Sequence, residues 1–406
     1  MEQKTIRRAY KFRLVPTVEQ EQLLRQCGGN ARFVWNTFLR MNEEEYAKNK
    51  KFVFGYDLIM SLPKLKKEHD FLTLSFSHSL QQVGRHFDRA LKDFLNPELK
   101  RAFPVPKKKS KERDSFTVPD KFRIGKGFVF IPKIGEIPWV KHRAIKGKIR
   151  HLVVKQDGDQ WYCSVNVEIK VSEPEVKDDN IIGIDVGLKT FAMHSDGEVI
   201  ENQKVTKRYE KKLRKAQRRL SKRTKGGSNR RKQRVRVSRI HRKIRNVRRD
   251  FQHKSTCSTI AKCDGVVLEN LNVKGMMSNH HLAKAIADCG WYEYKRQLKY
   301  KAGWCGKVFV EIDRFAPSSK CCHKCGWKDV NLCLSDRIFR CECCHLEEDR
   351  DLNASLNIRN WGVEKYRGTH GNCLSNKTTL GDDKRLQGFG SVLVDEPRKR
   401  MLSDCL

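Results

Sequence analysis

The stretch IIGIDVGLKTFAMHSDGEVIEN (residues 181–202) decides the fold. The run IIGI is a short buried strand that ends on Asp185. TFAMHS (190–195) is a second strand, and Asp196-Gly197 is a turn dipeptide leading into a third, EVIEN (198–202). The spacing predicts a three-stranded meander with a carboxylate at the tip of its most apolar strand. An acid held there costs several kcal/mol unless it is paired or metal-bound, so Asp185 calls for a chemical reason.

Downstream, the same oddity recurs. GVVLENL (265–271) is a second apolar strand, interrupted by Glu269. Leu282 to Cys305 reads as one long helix, KVFVEID (307–313) as a strand, and DLNASLNIRN (351–360) as a helix that starts on Asp351. Each acid has an ordinary explanation: Asp185 a turn, Glu269 an arginine partner, Asp351 a helix cap. Taken together, in the order meander, strand, helix, they match an RNase H-like plan. Hydrolysis of a phosphodiester with two metal ions needs a small set of carboxylates drawn from different elements, and Mg²⁺ or Mn²⁺ suits oxygen ligands. Glu348 and Asp349 compete with Asp351, which is preferred because the helical pattern begins there.

Between the strand at 307–313 and Asp351 lie seven of the fifteen cysteines, from Cys321 to Cys344. Cys322-x-x-Cys325 and Cys341-x-x-Cys344 form two knuckles, and four thiolates close a tetrahedron around Zn²⁺ without an open position, so the site is structural. Cys321, Cys343, His323 and His345 are possible competitors. Clustering of this kind, with no secretory h-region at the N-terminus, argues for metal rather than disulfides.

The formal net charge is +37, from 85 Lys+Arg against 48 Asp+Glu. Residues 204–254 alone hold 24 basic and two acidic side chains, or +22. Apolar residues at helical spacing (Leu213, Ala216, Leu220; Ile240, Ile244, Val247) and the Gly226-Gly227 break predict two antiparallel helices. Like charges along a helix oppose folding unless an anion lies near, so Lys211, Lys212, Arg214, Lys215, Arg218, Arg219, Arg239, Arg242 and Arg245 are expected to contact nucleic acid. No segment approaches the roughly 20 apolar residues of a spanning helix. A nucleoid-associated, cytoplasmic protein of a bacterium or archaeon, without membrane contact, is expected.

Upstream, an acidic, Pro-containing stretch (171–179) reads as a linker. FTV, FVFI, IRHLVVK and WYCSVNVEI between 115 and 170 read as strands. PVPKKKSKERD (104–114) reads as a charged loop. Helical pattern covers 18–38, 56–66 and 76–95, with Thr17 as the first N-cap, and 4–15 reads as a strand with one basic face ending at Pro16.

As a set, GIDVGLKTFA (183–192), VVLENLNVKGM (266–276), ADCGWYEYKRQLKYKAGWCG (287–306), PSSKCCHKCG (317–326), DRDLNASLNI (349–358) and FRLVPTVEQEQLLRQCGGNARFVWN (12–36) resemble the TnpB family, transposon-encoded nucleases related to type V CRISPR effectors. The resemblance implies an RNA-guided DNA endonuclease whose catalytic acids are Asp185, Glu269 and Asp351. Its partners would be a guide RNA made from the transposon end and a double-stranded DNA target beside a short transposon-associated motif. Phe54, His78 and Gln81 are candidates for reading that motif, and a monomer with its RNA is expected. His345 stands where the family often has Gly.

The implied architecture is multidomain α+β. A β-barrel-like wedge domain (1–16 and 106–172) would surround a helical recognition insert (17–105). A RuvC-like α/β nuclease domain (173–316 and 349–361) would carry the inserted zinc ribbon (317–348), and a disordered tail (362–406) would follow. A non-cleaving RNA-guided repressor would lack one of the acids, and none is missing. An autonomous transposase using the same triad, and a zinc-dependent binder with no chemistry, are the remaining rivals.

Overall fold

The computed structural model of the chain describes residues 3–109, 114–172, 180–314, 316–333 and 335–370. Part of the charged loop, almost all of the acidic linker and the tail from 371 onward lie outside the described residues.

The N-terminal half is an antiparallel sheet covered by helices. Strands β1 (Gln3–Leu14), β2 (Ser115–Val118), β3 (Arg123–Ile124), β4 (Phe128–Ile131), β5 (Gly135–Val140), β6 (Lys148–Asp157) and β7 (Gln160–Ser172) are ordered β2-β6-β7-β1-β5-β4-β3. β1 alternates as its sequence suggests: Tyr10, Phe12 and Leu14 are buried, while Lys11 and Arg13 face out. It pairs with β7 along its whole length and with β5 at its end. Helices α1 (Val18–Asn49), α2 (Gly55–Met60), α3 (Leu62–Glu68) and α4 (Ser77–Leu95) share one core with this sheet through Val34, Phe38, Leu58 and Phe87. Thr17 and Gln20 form a capping box at the start of α1. That helix runs on past Phe38 to Asn49, because Leu39 and Asn42 are still buried. The helix expected over 56–66 is instead two, since Pro63 cannot donate into a continuous ladder and opens α3.

The C-terminal half is built on a mixed five-stranded sheet. Strands β8 (Ile181–Asp185), β9 (Thr190–His194), β10 (Val199–Glu201), β11 (Gly265–Glu269) and β12 (Val308–Ile312) are ordered β10-β9-β8-β11-β12. The meander is antiparallel, whereas β8, β11 and β12 run parallel. Helices α5 (Val205–Ser221) and α6 (Ser228–Lys262) form the expected antiparallel pair. α7 (Val273–Met276) is one turn, followed by α8 (Ala283–Cys289) and α9 (Trp291–Cys305). The expected continuous helix from 282 to 305 is therefore broken. Gly290 sits at φ +64°, a left-handed conformation that ends one helix and starts the next. A small hairpin, β13 (Ile338–Arg340) and β14 (Glu347–Asp349), precedes α10 (Arg350–His370).

α10 covers one face of this sheet, with Ile358 against Ile181, Val267 and Ile312. Residues of α6, α8 and α9 (Ile260, Ile286, Tyr294, Leu298) cover the other face, against Ile182, Ile184, Val266 and Leu268. α10 continues nine residues beyond the expected boundary at 361, so the tail does not begin there. Trp361 and Val363 still pack on the sheet cluster, and Gly362 lies against Val267. Among the described residues, no helix is long and apolar enough to cross a membrane.

Candidate active site

Strand register sets the positions of the first two acids. β11 runs parallel to β8 with Val267 beside Gly183 and Leu268 beside Ile184, so one residue further on Glu269 stands beside Asp185. Side chains alternate with period two. Gly183 and Asp185 therefore share a face with Val267 and Glu269, and that face is the one α10 covers. Neighbouring strands are about 4.8 Å apart, which brings two carboxylates together at the end of a buried sheet.

The third acid arrives through the close approach of α10. A Cβ on Gly183 would stand 2.2 Å from the Ser355 carbonyl oxygen and 2.5 Å from the Arg359 nitrogen; one on Gly362 would stand 2.3 Å from Val267 Cγ1. Only glycine lets the helix backbone lie on β8 and β11 in this way. Asp351, in the first turn of α10, then lines one cleft of about 410 Å³ with Asp185, Glu269, Ser318, Arg337 and Arg350.

The electrostatics follow from this crowding. Burial first, then the charges of Glu269 and Asp351, push the Asp185 carboxyl up to about 7, against a backbone hydrogen bond at Val186 and the Arg350 charge. Burial also raises Glu269, offset by the Ser318 hydroxyl, which donates to Glu269 Oε1. Asp351 is steadied by Arg350 at 3.4 Å and Arg337 at 4.0 Å. Its competitors are engaged elsewhere. Asp349 caps α10, accepting from the backbone of Asp351 (2.8 Å) and Leu352 (3.1 Å), and Glu348 faces His323 at 3.4 Å. Three acids with an oxygen-only donor set, two of them with carboxyls raised chiefly by burial, fit a hard divalent cation such as Mg²⁺ or Mn²⁺.

The four cysteines also converge. The Sγ atoms of Cys322, Cys325, Cys341 and Cys344 all lie within 4.8 Å of one another, with Cys322–Cys344 at 3.5 Å and Cys325–Cys341 at 3.4 Å. A four-cysteine cluster of this geometry could bind zinc. Each knuckle ends on a left-handed residue, Gly326 at φ +77° and His345 at φ +55°. His345 thus occupies the conformation that favours glycine. Of the rival ligands, the His323 ring contacts Asn353, and none of the four rivals joins the cluster of converging Sγ atoms.

Sequence reasoning missed the residues that connect cluster to cleft. Asn353 donates to the Cys321 carbonyl (2.7 Å) and accepts from His323 N (3.0 Å). Asn357 donates to the carbonyls of Ser318 (2.8 Å) and Cys321 (2.6 Å). Both asparagine side chains are buried. The available signal is a pair of asparagines four apart, flanking apolar positions on the buried face of the helix.

The basic residues divide. Lys211, Lys212, Arg214, Lys215, Arg218 and Arg219 are exposed on α5, though Arg214 pairs with Glu210 at 2.8 Å. On α6, Arg239 and Arg242 grip Asp159 (2.8 and 2.6 Å) and Arg245 pairs with Asp157, so three of these charges brace the β6–β7 turn. Arg242 is only 11 % exposed, with its guanidinium held on Asp159. Acids from neighbouring elements, rather than phosphate alone, relieve the repulsion along α6.

Phe54, His78 and Gln81 do not form one patch. His78 bonds Asp120 at 2.8 Å near the start of α4, with Gln81 one turn on. Phe54 caps α2, whose Gly55 N donates to Asp88, roughly 15 Å further along α4.

The chain matches a family model described as "Probable transposase" (OrfB_IS605) over residues 164–280 and a Cas12f1-like TNB domain over 291–358. A helix-turn-helix model matches residues 1–51, where the structure has one strand and a single long helix. It is 32% identical over 370 residues to "Putative RNA-guided DNA endonuclease InsQ" of Escherichia coli K12, covering 86% of this chain and 91% of the relative. It is 33% identical over 359 residues to a protein of the same description, without the name InsQ, from Streptomyces pristinaespiralis, covering 87% and 89%. A solved Cas12f1-sgRNA-target DNA complex superposes with TM-score 0.54 at 14% identity, covering 88% of this chain and 99% of that one, a likeness of fold.

Proposed function

Because the chain belongs to the TnpB (IS605 OrfB) family, we propose that it is an RNA-guided, magnesium-dependent DNA endonuclease. In this reading an insertion-sequence transposon encodes it, and it cleaves target DNA beside a short transposon-associated motif. The observation that carries the proposal is the adjacency of Asp185 and Glu269 on parallel strands, with Asp351 on the helix laid across them. The strand order and the covering helix support an RNase H-like (RuvC) nuclease domain, and the seven-stranded sheet supports a wedge domain around the helices of 17–105.

Asp185, Glu269 and Asp351 would hold Mg²⁺ or Mn²⁺, which supplies activation of a water and stabilisation of the leaving 3′ oxygen. The chain's own residues prepare that site. Ser318 orients Glu269 by donating to Oε1, Arg350 and Arg337 orient Asp351, and the buried sheet limits water around Asp185. Zinc on the four cysteines would be structural, holding Cys321 and, through Asn357, Ser318. The exposed bases of α5 would track the backbone of a guide–target heteroduplex, with sequence read by base pairing. A monomer with its RNA is the proposed assembly.

The test is to purify the chain from cells that also express its flanking transposon DNA, sequence the copurifying RNA, and assay matched DNA with wild type and Asp185→Ala. A discrete RNA with cleavage lost in the variant is expected. The absence of discrete RNA would remove guidance, and a variant that cuts as well as wild type would remove the triad.

A further inference from the structure

The β9–β10 hairpin carries a second cluster of ligating side chains on the far side of the sheet from the cleft. His194 pairs with Ile184, so its ring lies on the face opposite Asp185. The ring is fully enclosed, and neither nitrogen makes a hydrogen bond. A buried imidazole without a partner is costly. Two carboxylates face it: Glu198 Oε2 stands 3.4 Å from Nδ1, and Asp196 Oδ1, which also accepts from Glu198 N at 3.0 Å, stands 4.0 Å away. The three ligand atoms lie within 4.8 Å of one another.

The turn fixes this arrangement. His194 N donates to the Glu198 carbonyl and Gly197 N to the His194 carbonyl, both at 3.0 Å, and Gly197 adopts φ +84°. Residues 194, 196 and 198 therefore converge on the inner side of a closed loop. We infer that His194, Asp196 and Glu198 form a second metal site, for a first-row divalent ion that accepts one imidazole and two carboxylates, as Zn²⁺ does. Ligand bonds of about 2 Å to a shared ion span separations of about 3.3 to 4 Å, and the two acids are exposed enough to close the remainder. Lys262 Nζ lies 2.7 Å from Glu198 Oε2, the oxygen that faces Nδ1, so a metal bound here takes the place of that ammonium or draws in Oε1. A metal on Nδ1 gives that nitrogen its missing partner. It also ties the edge hairpin to the sheet that carries Asp185.

The test counts zinc in the full-length protein. In an Asp185→Asn/Glu269→Gln background, which neutralises two of the three cleft acids, the chain is equilibrated with micromolar Zn²⁺ and desalted. Bound metal is then measured by mass spectrometry. Adding Asp196→Asn with Glu198→Gln, two partly exposed turn substitutions whose fold is verified by circular dichroism, is expected to lower the count by one zinc per chain. The same ion should raise the melting temperature of the parent and not that of the turn variant through this site. An identical zinc count in the two proteins overturns the inference.

Discussion

At the residue scale, Asp185 and Ser318 make separable predictions. The Asp185 carboxyl, ordinarily near 3.8, titrates at about 7 in the folded chain. Between those values the native state binds a proton that the unfolded state has lost, so stability falls as pH rises from about 4 to 7. In protein without added magnesium, Asp185→Asn should therefore raise stability at pH 7.5 by about 4 kcal/mol and change little at pH 4. Denaturant melts at the two pH values measure this, while DNA cleavage by the same variant should fall by about 1,000-fold or more. Ser318→Ala removes only the donor to Glu269. It should lower cleavage about 10-fold with RNA binding unchanged, and equal cleavage rates would remove Ser318 as a positioning residue. From sequence, Asp351 is preferred over Asp349 on helical pattern alone; in the fold Asp349 caps α10, an engagement the pattern does not record.

Element by element, the decisive contact is α10 against β8. Gly183→Ala places a methyl within 2.2 Å of the Ser355 carbonyl oxygen, and neither backbone can yield without moving the helix that carries Asp351. The variant should lose about 3 kcal/mol and cleave poorly even at temperatures where it stays folded; unfolding curves and single-turnover cleavage test both parts. His345→Gly is the opposite case. Releasing a non-glycine residue from φ +55° should stabilise the cysteine ribbon by about 1 kcal/mol, seen as slower zinc loss to a chelator. The strands that bound this region were legible because each is short and apolar. The break at Gly290 and the split at Pro63 were misread, since periodicity continues through both and only the backbone conformation interrupts it.

Over the whole molecule, part of the basic charge braces the fold through ion pairs and part stands exposed on α5. Replacing Lys211, Lys212 and Lys215 by Ala should weaken RNA binding and reduce the slope of log K against log salt by about 2. Arg242→Ala should leave that slope unchanged and lower stability instead, because the Arg242 guanidinium itself holds Asp159 and the Asp157 carbonyl of the β6–β7 turn. Filter binding across salt concentrations, with a thermal melt of each variant, separates the two. Order along the chain determined a good deal by itself: the short apolar strands, the four-cysteine spacing and the basic helical pair are local patterns whose period and composition survive without a fold. What only the tertiary structure decided is which acids meet and which bases are free. Asp185, Glu269 and Asp351 are separated by more than 80 residues at each step, and their meeting depends on a parallel register and two glycines. Both are matters of backbone approach between distant segments, which no local pattern records.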